Sequence, residues 1–210
     1  MMTLYGLPGA CSMAVHIILE HLGLDYALVL ADRDKLMEPE HLAVNPMGQA
    51  PSLITEDGLL TESVAILLHI DEKYGQGRVS PPPGSWQRAL MMQYLLFMAS
   101  QEHPAFGLWL RPFRWHDDET AQAELKESAR KRFALCLSRL DGRLEGRDWL
   151  VGDGMTLADS LAFVHACWGL RIDPPTTEYA NLWRFAERMA ALPAVTRVME
   201  QEGIGLDAEQ

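Results

Sequence analysis

A cysteine and a serine, Cys11-Ser12, follow directly on Pro8-Gly9-Ala10, where a short apolar strand must give way to a helix. A thiol in the first turn of a helix lies at the positive end of the dipole, which favours thiolate over thiol. One such thiol can form a mixed disulfide but cannot close a disulfide of its own. The plainer reading of Cys11 is a small buried hydrophobe, and that is the reading for Cys136 and Cys167, both inside apolar helical stretches. A second constellation runs Asn45-Pro46-Met47-Gly48-Gln49-Ala50-Pro51 and on to Glu62-Ser63. Pro51 lacks an N–H and belongs at a strand's first residue, with Ala50 held extended before it. A cis Ala50–Pro51 bond would turn the Ala50 N–H and C=O outward, where an extended peptide can pair with them. The helix start at Thr61-Glu62-Ser63 offers N–H groups to a carboxylate. Together these parts suit a small peptide that carries its own charges; without a ligand they are a hairpin and a helix cap.

Further along, His103 is able to hydrogen-bond a thiol or a ligand near neutral pH, or to bridge two helices as a satisfied core histidine. Phe106, Trp109 and Phe113 fall at i, i+3, i+7 after it and can wall an apolar pocket, or simply fill the core. Lys35 is either a cation for a ligand carboxylate or a solvated surface lysine. His16, Glu20 and His21 do not share the H-E-x-x-H spacing and lie apart around a helix, so no metal site is expected. No phosphate-binding glycine loop and no hydrolase nucleophile elbow occurs.

The elements that must position these residues divide in two. In the first eighty residues, strands are expected at 3–7 and 26–30, with a helix from about Cys11 to a stop at Gly23 between them. A helix joining two strands favours parallel pairing. The segment 33–41 is polar and without a clear period. A hairpin turns at Glu56-Asp57-Gly58, and a helix over 63–74 presents Val64, Leu67 and Leu68 on one face. This order, β-α-β then β-β-α, is that of a thioredoxin-like domain. Pro81-Pro82-Pro83 marks the boundary and acts as a stiff spacer. Everything beyond reads helical: a long segment over 86–115 that Pro104 and Pro112 kink or break, an amphipathic helix over 120–144, and two short helices at the end. Thr156-Leu157-Ala158-Asp159 is a capping box opening a helix so apolar that it belongs at the domain centre. The division is thus 1–76, a linker at 77–85, and an all-helical unit over 86–210.

The composition, 210 residues with 48% apolar and 22% charged, is that of a soluble globular chain. A net charge of −11 argues against a nucleic-acid surface. No apolar run is long enough to span a bilayer, and no basic signal start or disulfide framework is present, so a cytoplasmic location is expected.

The N-P-x-G-x-x-P stretch with its later Glu-Ser pair resembles the glutathione-binding half of cytosolic glutathione transferases. That resemblance extends over nearly the whole chain through the two-unit order and the capped buried helix. It implies that Ala50 pairs with the cysteinyl backbone of glutathione, flanked by Gln49 and Pro51. Glu62 would meet the ammonium and Ser63 the γ-glutamyl carboxylate, with Lys35 at the glycyl carboxylate. Pro8-Gly9-Ala10-Cys11-Ser12 is similar to the bacterial beta class, whose cysteine lies against the glutathione sulfur. The segment Phe97-Met98-Ala99-Ser100-Gln101-Glu102-His103 resembles that class's F-I-A-T-E-x-H, whose histidine faces the cleft. Gly6 departs from the family, which usually has a tyrosine there; adjacent Tyr5 should point the other way. Thiolate stabilisation then falls to Cys11, Ser12 and nearby N–H groups. The resemblance implies a homodimer that conjugates glutathione to a small hydrophobic electrophile, without a metal. Thiol–disulfide exchange or peroxidase chemistry at Cys11 stays open, as does a non-catalytic glutathione-binding role.

Overall fold

The computed structural model describes residues 1–206, so the last residues of the helical unit, 207–210, lie outside the described part. Strand β1 (Met2–Gly6) runs parallel to β2 (Tyr26–Leu30) and antiparallel to β3 (Ser52–Thr55), which pairs antiparallel with β4 (Gly58–Thr61). The sheet order is β2-β1-β3-β4, with Leu4 and Leu53 opposite one another in the two central strands, both fully buried. Helix α1 (Ser12–Leu22) supplies the crossover between β1 and β2 and stops at Gly23, whose φ of 66° admits the left-handed cap. Residues 12–19 are all buried, because the sheet, the helix that follows β4 and two helices of the second unit enclose α1.

The polar segment after β2 holds a 3₁₀ turn (Lys35–Met37) and helix α2 (Pro39–Val44), neither of which its periodicity announced. Helix α3 (Ser63–Ile70) buries Ser63, Ile66, Leu67 and Ile70. The expected face of Val64, Leu67 and Leu68 is therefore rotated, with Val64 and Leu68 only half-buried. The polar end of the expected 63–74 helix is a wider, π-type turn over Asp71–Gly75.

The triple-proline segment is anchored by contacts on either side. Ser80 donates its hydroxyl to Asp71, Arg88 pairs with the same carboxylate at 2.9 Å, and Leu157 N–H donates to Val79 O. Helix α4 (Trp86–Phe97) continues through a π turn at Met98–Glu102 into α5 (His103–Leu110). That widened turn sits where the Pro104 ring would strike the preceding turn of an α-helix. Pro112 ends α5, and a 3₁₀ turn (Pro112–Arg114) follows. Helix α6 (Glu119–Arg143) buries Ala129, Phe133, Cys136, Leu137 and Leu140 as one stripe. Helix α7 (Leu157–Gly169) is buried at every residue except Cys167, as its composition requires. Its capping box is formed as expected, and Asp159 also accepts from Leu150 N–H. Helices α8 (Ala180–Ala190) and α9 (Pro193–Glu202) complete the second unit, α9 packing back on α1.

Candidate active site

Asn45 builds the loop ahead of β3 from within. Its buried side chain donates to Gln49 O (2.8 Å) and Ser52 Oγ (3.0 Å) and accepts from Met47 N–H (3.0 Å). Gly48 holds φ 59°, and a Cβ there would stand 2.7 Å from Met37 Sδ. Only glycine meets both demands, so Gly48→Ala is expected to cost about 1–3 kcal/mol in chemical denaturation. A loss below 0.5 kcal/mol or so would show the loop to be pliable there. The loop delivers a cis Ala50–Pro51 bond, and the Cys11 thiol donates to Ala50 O across 3.7 Å. At the head of α3, Glu62 adopts φ 69° and ψ 115°, a conformation costly for a non-glycine residue and one that clusters at functional sites. Nothing in a single sequence signals that backbone.

These parts line one cleft of about 660 Å³ between the two units. Pro8 to Cys11, Gln49, Ala50, Pro51, Glu62 and Ser63 form one wall. His103, Phe106 and Leu110 of α5, with Cys167 and Trp168 of α7, face them.

Three residues expected at the site lie elsewhere. The Ser12 hydroxyl is almost wholly buried, accepting from Leu7 N–H and donating to Leu7 O, so it closes the β1–α1 turn instead. Lys35 is exposed and pairs with Asp32, while its neighbours Arg33, Asp34 and Leu36 reach the cleft. Trp109 stacks behind Phe106 at 5.6 Å and does not line the cleft. Phe113 does line it and is 60% exposed. Cys167, expected to be a buried core thiol, is half-buried on the cleft wall; Cys136 is buried as expected.

The thiol itself departs from the simple dipole expectation. Burial pushes Cys11 up to about 12, with the Glu62 charge adding to the rise and the Cys11 and Ser12 backbone N–H groups opposing it. Desolvation of a thiolate outweighs the helix end here, so Cys11 is a protonated hydrogen-bond donor at neutral pH. His103 is pushed down to about 4 by burial, with His165 and Arg111 adding to it, so it is a neutral imidazole there. A Cβ on Gly6 would meet Ser12 Oγ at 3.2 Å and Leu30 Cδ2 at 3.3 Å. The Ser12 hydroxyl occupies the space a larger residue would need, and Gly6 is not part of the cleft wall.

Two anchors of the Cys11 loop were not visible in the sequence. Trp168 donates its indole N–H to Gly9 O at 2.7 Å, and its ring stacks on Phe106 (4.6 Å) and His165 (4.5 Å). A tryptophan inside an otherwise apolar buried helix was the available signal, since its N–H must find a partner. Glu202 accepts from Gly9 N–H and meets His16 Nδ1, each at 2.8 Å. His16, whose metal role the spacing rejected, is thus engaged with a carboxylate 186 residues away. Glu20 accepts from the Tyr26 hydroxyl and pairs with Arg197.

A thioredoxin-type sheet with a thiol at the β1–α1 turn, closed over by an all-helical unit, defines a class built around a thiol in an interdomain cleft. Two family models divide the chain between them: the glutathione S-transferase N-terminal domain over 1–72 and its C-terminal domain over 88–193. The chain belongs to the glutathione S-transferase family. It is 31% identical over 207 residues to glutathione S-transferase GstA of Escherichia coli O157:H7, covering 97% of this chain and all of that one. A sphingomonad glutathione S-transferase complexed with glutathione superposes with a TM-score of 0.84 at 31% identity, over 97% of this chain and all of the other. The beta-class enzyme of Sphingomonas chungbukensis gives 0.84 at 29% identity, over 97% and 100%. No helix among the described residues is long and apolar enough to cross a membrane.

Proposed function

We propose that this protein is a homodimeric, cytoplasmic, beta-class glutathione transferase that conjugates glutathione to small apolar electrophiles and uses no metal. Residues 1–76 bind glutathione, 77–85 link, and 86–210 wall the electrophile. The observation that carries the reading is the convergence of Cys11, the Ala50 backbone, Glu62 and Ser63 on one cleft. Ala50 pairs with the cysteinyl backbone beside Gln49 and Pro51; Glu62 takes the ammonium and Ser63 the γ-glutamyl carboxylate. The Cys11 S–H, which now points at Ala50 O, turns to the glutathione sulfur and donates to it as thiolate develops. A protonated, buried cysteine suits a donor, not an attacking group, so conjugation is favoured over thiol exchange at Cys11. His103 adds a neutral donor on the facing wall, and Phe106 and Phe113 contact the electrophile's apolar body. Lys35, turned to Asp32, has no part in this assignment.

Retention on immobilised glutathione, followed by an assay with an activated aryl halide, tests the reading. Turnover is expected in the wild type and, reduced by about tenfold, in Cys11→Ala, since one weak donor is lost. Retention without turnover would favour a binding protein, and complete loss in Cys11→Ala with intact disulfide-exchange activity in the wild type would favour an exchange enzyme.

A further inference from the structure

The cleft wall carries a set of cations that its glutathione-binding half does not explain. Arg33, Arg111, Arg114 and Arg171 all line it, against two carboxylates, Asp34 and Glu62. The chain as a whole is strongly acidic, with 18 Lys and Arg against 29 Asp and Glu. Burial pushes Arg33 and Arg111 down from the usual guanidinium range, with Arg114 and Arg171 adding to it at Arg33, and Arg33 and Arg114 at Arg111. Elsewhere Arg88 pairs with Asp71, Arg130 with Glu127, Arg188 with Asp148 and Arg197 with Glu20, while Arg78, Arg143 and Arg184 donate to backbone carbonyls. None of the four at the cleft makes a hydrogen bond or ion pair with a carboxylate among the described residues; Arg171 lies over the Trp109 ring at 5.9 Å. Four cations against two carboxylates leave the cleft wall net positive, and such a surplus draws anions into a cleft.

Glutathione absorbs only part of this charge. In the proposed binding mode its ammonium meets Glu62 and its γ-glutamyl carboxylate meets Ser63, leaving the glycyl carboxylate. Arg33, in the segment packed on Gly48, is placed for that group in lieu of Lys35. Arg111 at the end of α5, Arg114 in the following turn and Arg171 just past α7 remain. They border the Phe106, Leu110 and Phe113 wall, on the electrophile's side.

We propose that the electrophile carries a carboxylate on an aromatic-sized apolar body, with Arg111, Arg114 and Arg171 holding the carboxylate. Guanidinium groups match a carboxylate's two oxygens in a fork, which a neutral apolar substrate cannot use. This inference rests on the glutathione-conjugating reading. With an aryl chloride as the probe, the glutathione S–C bond forms and the C–Cl bond breaks. Chloride leaves with the electron pair, and the thiol proton passes to water.

The probe pair is 4-chloro-3,5-dinitrobenzoate and its methyl ester, which differ in the one charge. Their chemically prepared glutathione conjugates, titrated calorimetrically into the full chain, read the site even without turnover. The acid conjugate is expected to bind on the order of tenfold more tightly than the ester at low ionic strength. Added salt should shrink that ratio. In Arg111→Gln/Arg114→Gln/Arg171→Gln the ratio should fall to about one, and the single exposed change Arg114→Gln should lower it in a protein that folds normally. Equal binding of acid and ester by the wild type, or a ratio unmoved by either variant, overturns the proposal. S-methylglutathione separates the two readings. If it binds while the ratio is one, only the carboxylate site fails; if it does not bind, the glutathione reading fails and this inference with it.

Discussion

At neutral pH Cys11 will react with iodoacetamide on the order of a hundred times more slowly than free cysteine. Burial pushes its thiol up to about 12, against about 8.5 for an unperturbed thiol. The thiolate fraction is then lower by roughly three and a half powers of ten, and the greater nucleophilicity of the more basic thiolate returns about one and a half, leaving about two. The direction with pH follows. Below about 12 the folded form holds its proton, so the rate should rise about tenfold per unit well beyond the pH where free cysteine levels off. The same shift affects the fold. Its contribution to stability is complete below the ordinary thiol pKa and is lost as pH rises from there through about 12. Mass spectrometry of the Cys11 peptide after timed alkylation reads the rate separately from Cys136 and Cys167. Alkylation at neutral pH as fast as that of glutathione would show an activated thiol, and exchange chemistry would then displace conjugation.

Glu202→Ala will destabilise the protein by about 3–5 kcal/mol, read as a shift of the urea midpoint. Glu202 is 6% exposed, and His16, its partner, is fully buried. Removing the carboxylate strands the His16 Nδ1 inside the core and leaves the Gly9 N–H without its acceptor. Because Gly9 precedes Cys11 by two residues, the same change should raise KM for glutathione through movement of the 8–11 turn. Glu202→Gln, which keeps the size and one acceptor, should recover part of both losses. A midpoint within 0.5 kcal/mol or so of wild type would mean the pair is dispensable.

How much of this was legible in the chain depends on the range of the interaction. The β-α-β and β-β-α order, the Gly23 stop, the Thr156–Asp159 box and the break at Pro112 are local matters. Neighbouring residues settle them through period, capping and the missing proline N–H, and all four stand in the structure. The site was partly legible for the same reason: Asn45, Gly48 and Pro51 shape their own loop within seven residues. Ser12, Lys35 and Trp109 were misplaced because each depended on facing. A serine at a strand–helix turn can aim at a ligand or at the turn itself, and the Leu7 backbone was the nearer partner. Lys35 sits beside two residues that do reach the cleft, so one step around a 3₁₀ turn decided its direction.

The amino-acid sequence by itself determined the two-unit plan, the cysteine at the first helix and the shape of the loop ahead of Pro51, since short-range backbone chemistry admits few alternatives. The tertiary structure alone decided the protonation of Cys11, the Trp168 and Glu202 anchors on Gly9, and the bringing of four arginines to one cleft. Desolvation, long-range hydrogen bonding and charge crowding depend on which distant surfaces meet, and that information exists only once the chain has closed on itself.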